Sequence, residues 1–101
     1  MGTPKVNYDA AAALISAMSN PVRLQTLLRL AEAEMSVNAI SESLGLSQSA
    51  VSQHLKKLRD LNLVETRRDS QTIFYSVPHE SPALKIIDVL RELDLWRRRI
   101  D

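Results

Sequence analysis

Apolar residues recur every three or four positions over most of this chain, give way to a short β-branched and aromatic stretch, and then resume the helical spacing. Residues 1–6 carry no period and read as a frayed terminus. From Asn7 to Met18, alanines with Leu14, Ile15 and Met18 predict a helix, with Asn7 as its cap and Asp9 favourable in the first turn. Ser19-Asn20-Pro21 stops that helix and starts another, because proline at a first helical position forfeits no hydrogen bond and Asn20 can cap the new start. The second helix runs to about Ala33 on a stripe of Val22, Leu24, Leu27, Leu28 and Leu30. Ser36 can cap a short third helix that buries Val37, Ile40 and Leu44, and Gly45 stands where a left-handed end is wanted. Leu46 leads to Ser47, a cap for a fourth helix over residues 48–61 with Val51, Leu55, Leu58 and Leu61 on one face.

Asn62 can end that helix, and the period then changes. Leu63–Arg68 and Gln71–Val77 suit two strands of a hairpin, separated by Asp69-Ser70. Ser81-Pro82 opens a last helix, expected over 82–100, along which Leu84, Ile86, Ile87, Val89, Leu90, Leu93, Leu95, Trp96 and Ile100 occupy more than one stripe. A terminal helix of a small protein normally buries one face, so the surplus implies a second surface to meet.

Composition narrows this picture. One hundred and one residues suit a single domain, and 45% hydrophobic with 25% charged residues is an ordinary globular balance. Aromatics make up only 4%, so the core must be aliphatic, and a chain of this size gains if a partner subunit covers more of it. The absence of cysteine excludes disulfides, thiolate metal sites and thiol switches. No run approaches the roughly 20 apolar residues of a membrane span, and the amino terminus has neither a signal-peptide pattern nor a myristoylation signal, so the expected compartment is the cytoplasm. The net charge is +1, but it is uneven: residues 1–55 hold three cations against four acids, residues 56–76 five against three, and the remainder five of each.

That local excess sits where helix, tight turn, helix and charged hairpin follow one another, the order of a winged helix-turn-helix, whose second helix lies in the DNA major groove. Between its buried positions the fourth helix displays Gln48, Ser49, Ser52, Gln53, Lys56, Lys57 and Arg59. A solvated helix face would explain any one of these, but such a face favours Glu, Lys and Ala over five Ser and Gln at 47, 48, 49, 52 and 53. Gln can pair with both edge groups of adenine, and Ser can give or accept a bond from several bases, at little desolvation cost. Gln48, Ser49, Ser52 and Gln53 are therefore the candidate base contacts. Ser47, His54, Lys56, Lys57 and Arg59, with Arg67, Arg68, Gln71 and Thr72 of the wing, are candidates for the DNA backbone. Arg67 and Arg68 would equally serve to blunt an exposed strand edge.

Ser47-Gln48-Ser49-Ala50-Val51-Ser52-Gln53-His54-Leu55, Thr66–Tyr75 and Asn20-Pro21-Val22-Arg23-Leu24 resemble the recognition helix, the wing and the second-helix start of the ArsR/SmtB regulators, and within them the NolR/HlyU-like branch. The resemblance spans roughly residues 10–95. It implies a mainly α fold with a small β-hairpin: about five helices plus a two-stranded wing, with helix-turn-helix at 36–61, wing at 63–77 and dimerisation helix at 82–100. It also implies a homodimer joined through the first and last helices, with Leu14, Ile15, Met18, Ile86, Leu90, Leu93 and Trp96 at the interface. The partner would be double-stranded DNA, an imperfect palindrome in a promoter, and the usual outcome repression.

The departures are specific. Where many members carry a metal-binding Cys-Val-Cys run, this chain has Ser36-Val37-Asn38; Asp88-Val89-Leu90 lacks the histidine of the last-helix metal sites; Leu28 and Leu95 stand near the positions of two sulfide-sensing cysteines. No metal and no cofactor is expected. His54 has no nucleophile and carboxylate spaced around it for catalysis, and His79 reads as solvated. Trp96 suits interface or core better than a ligand pocket, and Arg97-Arg98-Arg99 a solvated helix end. The rival function is a winged helix used as a protein-interaction module, against which stands a recognition face without aromatic or methionine anchors. No phosphate loop or catalytic cluster supports an enzyme.

Overall fold

In the computed structural model, which describes residues 5–93, helix α1 (Tyr8–Met18) starts where Asn7 Oδ1 accepts the Ala10 N–H at 3.0 Å. Asn20 caps α2 (Pro21–Glu32) twice, accepting from Val22 N at 2.8 Å and Arg23 N at 3.1 Å, with Pro21 in the first turn as expected. Ser36 and Ser47 cap α3 (Val37–Leu44) and α4 (Gln48–Asp60) by the same bond to the third N–H, each 3.1 Å. Ser81 caps α5 (Pro82–Glu92). Five side chains thus satisfy helix-start donors that would otherwise be orphaned.

The core lies where α2 crosses the others. Leu27 and Leu30 of α2, Ile40 of α3, Val51, Leu55 and Leu58 of α4, Leu63 and Val64 after it, and Ala83 and Ile87 of α5 form one cluster with Ala17 and Met18. Each large aliphatic side chain buried there contributes about 1.5–3 kcal/mol of transfer free energy. Among the described residues no helix is long and apolar enough to cross a membrane.

The expected two-stranded wing forms, and the sheet adds a short third strand to it. The sheet has three antiparallel strands in the order β1 (Met35–Ser36), β3 (Thr72–Ser76), β2 (Glu65–Asp69), with Met35 opposite Tyr75 and Ser36 opposite Phe74. A two-residue strand leaves no period in the sequence, and Ser36 does double duty as strand end and helix cap. The hairpin loop also shifts: Asp69 pairs with Thr72, so Ser70 and Gln71 make the turn, and Ser70 takes φ 58°, the positive value a two-residue II′ loop needs at its first position. Leu63 and Val64, expected to open the first strand, instead plug the core ahead of it. The Leu63 carbonyl, buried there, accepts the Ser81 hydroxyl at 2.9 Å, which ties α5 to the root of the wing.

Between α3 and α4 the turn is closed from both sides. Gly45 takes φ 68°, its N–H and that of Leu46 return to the Glu42 and Ser41 carbonyls, and the buried Ser41 hydroxyl donates to the Leu46 carbonyl. Gly45→Ala meets no neighbouring atom but must adopt a left-handed backbone, so we expect a loss of about 1 kcal/mol, and Gly45→Asn a smaller one. Denaturant melts of the two variants check this; equal losses would put the cost elsewhere than in the backbone.

Candidate nucleic-acid interface

Helix α4 buries Val51, Leu55 and Leu58 to 1% exposure or less, and this anchors the azimuth of every other residue on it. At 100° per residue, Ser49, Ser52, Gln53 and Lys56 fall within roughly 100° of arc on the opposite, exposed side. Gln48 and Arg59 lie on one flank of that arc, Lys57 on the other. Gln48 is held there: its Nε2 donates to Asn38 Oδ1 at 3.0 Å, joining the starts of α3 and α4 and leaving its carbonyl oxygen to accept. Ser47 is occupied as the cap, Lys56 pairs with Asp60 at 3.0 Å on the surface, and Lys57 borders a groove against α1 with Ser16, Ala17, Arg23 and Leu61. An exposed pair such as Lys56–Asp60 is worth little and can open toward a phosphate.

His54 is half-buried on the α1 side of α4, not in the outward arc. Arg23 Nη1 stands 3.5 Å from His54 Nδ1, while Arg23 Nε donates to the Ala17 carbonyl at 2.6 Å and Nη2 to the Ser16 carbonyl at 3.3 Å. One guanidinium therefore satisfies carbonyls at the end of α1 and contacts the recognition helix. A guanidinium can only donate, so Nδ1 faces it unprotonated and the imidazole N–H is Nε2. Arg23 entered the sequence reading only as part of a helix-start motif; its reach to a helix thirty residues on left no local signal. Burial, with the nearby charges of Arg23 and Lys57, holds the His54 pKa below its ordinary 6.5.

In the wing, Arg68, Gln71 and Thr72 are exposed. Gln71 and Thr72 border a depression with Ser36, Val37, Asn38 and Ile73, between the wing tip and the start of α3. Arg67 is engaged: its Nε donates to both Glu34 carboxylate oxygens at 3.0 and 2.9 Å, Nη2 donates to Oε1, and the guanidinium lies 4.8 Å from the Phe74 ring centroid. That pairing draws the Glu34 carboxyl below the usual carboxylate range. Glu34, in the turn after α2, was absent from the candidate residues.

The expected interface residues divide. Ile15, Met18, Ile86 and Leu90 line one shallow, almost wholly apolar depression between α1 and α5; Leu14 packs against the core beside it; Leu93 is exposed. Val89, 53% exposed, falls on the same face of α5 and was not among the candidates. Trp96 lies outside the described residues, as do Leu95, Ile100 and Arg97-Arg98-Arg99.

Three helices around a helix-turn-helix, a hairpin wing and a polar, cation-flanked recognition helix define a winged helix-turn-helix protein. The family model for bacterial regulatory proteins of the arsR family matches residues 20–66. The nodulation protein NolR of Rhizobium meliloti is 51% identical over 92 residues, covering 89% of this chain and 75% of that protein; the crystal structure of NolR from Sinorhizobium fredii aligns with TM-score 0.81 at 47% identity over 91% and 96% of the two chains. The transcriptional activator HlyU of Vibrio cholerae is 49% identical over 71 residues, 70% of this chain and 66% of that one. A Mycobacterium bovis domain described as a homodimeric winged helix-turn-helix DNA-binding domain aligns over 100% and 99% with TM-score 0.76 and 26% identity. The chain belongs to the arsR family of bacterial regulatory proteins. It is a transcriptional regulator and not an enzyme.

The depressed His54 pKa has a consequence for stability. Between its folded value and 6.5 the unfolded chain binds the proton more readily, so the contribution of neutral His54 is complete above 6.5 and is lost as pH falls through the folded value. Melting temperature should therefore decline as pH is lowered from 7.5 to about 5.5, and His54→Gln should flatten that decline. Parallel slopes for the two proteins would mean that His54 is not the titrating group.

Proposed function

We propose that this regulator binds an imperfect palindrome in promoter DNA as a homodimer, as a repressor that occupies the promoter. The observation that carries this reading is the outward arc of α4: uncharged hydrogen-bonding side chains over its first two turns, Lys56 a turn further along, Arg59 and Lys57 on its flanks and a buried apolar face behind it. Ser49, Ser52 and Gln53, with Gln48 beside them, are placed to meet base edges; Gln is suited to adenine, whose two major-groove edge groups it can pair simultaneously. Lys56, Lys57, Arg59 and the Ser47 hydroxyl then meet phosphates, and Arg68, Gln71 and Thr72 extend the contact from the wing, while His54, half-buried on the α1 side, is the weakest of the helix candidates. Arg67, bound to Glu34, is the weakest of the wing candidates.

The dimer is supported by the apolar depression of Ile15, Met18, Ile86 and Leu90 and by Val89 and Leu93, which a monomer leaves in water. A two-fold axis through that face makes the contact self-complementary and gives the dimer one α4 helix for each half-site. Half-sites should then lie about 34–36 Å apart, one helical turn, or at a multiple of that. Without thiolates or the family's last-helix histidine, the usual metal and thiol sensing sites are lacking, and the cytoplasm, where the promoter is, suffices as its compartment.

Selection from a random duplex pool should recover a two-fold motif, and Gln53→Ala should then lose about 1–3 kcal/mol on that motif and much less on unrelated DNA. Equal loss on both would remove Gln53 from base reading. Lys56→Ala should instead weaken all duplexes and reduce the salt slope by about 0.9. For the assembly, Ile15→Glu is expected to convert a dimeric mass into a monomeric one by sedimentation, together with loss of operator binding; a variant that stays dimeric would place the interface elsewhere.

A further inference from the structure

Arg67 and Arg68 are adjacent on β2, yet the pleat sends them to opposite faces of the wing. The register makes those faces chemically unlike. On the Arg67 side, β2 contributes Glu65, Arg67 and Asp69, opposite Ser76, Phe74 and Thr72 of β3, and Glu34 joins them from beside β1. Three carboxylates thus share a face with one guanidinium, which already binds Glu34 and stands 4.0 Å from Asp69. The other face carries Thr66 and Arg68 opposite Tyr75 and Ile73, with no acid on either strand. A phosphate is repelled from the first face and attracted to the second.

What Arg67 does follows from the sheet order. Strand β2 is an edge strand whose five residues are all exposed, so no buried side chain anchors it to the helices. From β2 the Arg67 side chain crosses β3 over the Phe74 ring and ends on Glu34, next to β1. It spans all three strands. We infer that Arg67 and Glu34 form a strap that positions the wing for the DNA backbone, and that Arg68, on the reverse face, is the wing's phosphate-contacting cation. The inference rests on the DNA-binding reading above and assigns Arg67 a positioning role in it.

The sign of one substitution separates strap from direct contact. Glu34→Gln removes a negative charge and frees Arg67, so if Arg67 met phosphate, affinity would rise. If the pair is a strap, affinity falls, about two- to five-fold for a half-exposed pair, because the wing must be ordered on binding. The experiment measures binding of the full chain and its Glu34→Gln, Arg67→Ala and Arg68→Ala variants to a labelled duplex of about 30 base pairs, the selected motif or a mixed sequence, across a salt series. Amide exchange of β2 and β3 is followed in the free proteins. The strap predicts weaker binding with unchanged salt slope for Glu34→Gln and Arg67→Ala, a slope reduced by about 0.9 for Arg68→Ala only, and faster wing exchange in the first two. Tighter binding by Glu34→Gln, a reduced slope for Arg67→Ala, or unaltered wing exchange would overturn it. If the unmodified chain binds neither duplex, the DNA-binding reading fails and the positioning role with it, while the exchange rates still report whether the strap holds the wing.

Discussion

The recognition helix has no freedom to turn, and most of the molecule's geometry depends on that. Val51, Leu55 and Leu58 are buried against α2 and α3 with essentially no exposure, and rotating α4 by even one residue would exchange Val51 for Ser52, Leu55 for Lys56 and Leu58 for Arg59 at the core. The transfer cost of such an exchange, about 1.5–3 kcal/mol per aliphatic side chain, is a large fraction of the stability of a small domain. The polar arc is therefore aimed by the residues buried behind it. A core mutation there would re-aim the arc without altering any residue in it.

Polar fasteners complete what the apolar core leaves loose. Ser41 closes the turn before α4, Ser81 joins α5 to the buried Leu63 carbonyl, and Arg23 gathers the end of α1 and the side of α4 around one guanidinium. Each satisfies a backbone carbonyl that would otherwise lack a protein partner, so its removal costs desolvation as well as a bond. The wing lies outside this system. With β2 wholly exposed, its orientation is left to the ladder with β3 and to the bonds Arg67 makes.

A chain of this size also exposes more apolar surface than it can fold inward. Helix α5 shows why: Ala83 and Ile87 face the core, while Ile86, Val89, Leu90 and Leu93 occupy the neighbouring arc. One helix cannot bury both arcs against the same subunit. Surface of this kind, continuous with Ile15 and Met18 of α1, suits a second copy and spares the protein a larger core.

Much of this was legible from residue order alone, because it is local. Caps at Asn7, Asn20, Ser36, Ser47 and Ser81, the left-handed Gly45, the helix periods and the polar arc of α4 each depend on neighbours within four or five positions, which is the range of helical geometry. The residue-level pattern also carried the order helix, turn, helix, hairpin, and through it the fold. What it lacked were contacts between distant segments with no periodicity of their own. Strand β1 is two residues pairing with Phe74 and Tyr75; Arg23 meets His54 across 31 positions and Arg67 meets Glu34 across 33. Alternation in β2 puts Arg67 with Glu65 and Asp69 on one face and Arg68 on the other, but only the sheet order brings Glu34 within reach of Arg67. Composition and period determine which residues are buried; which long, flexible cations are left for a partner is decided by what the fold brings within their reach.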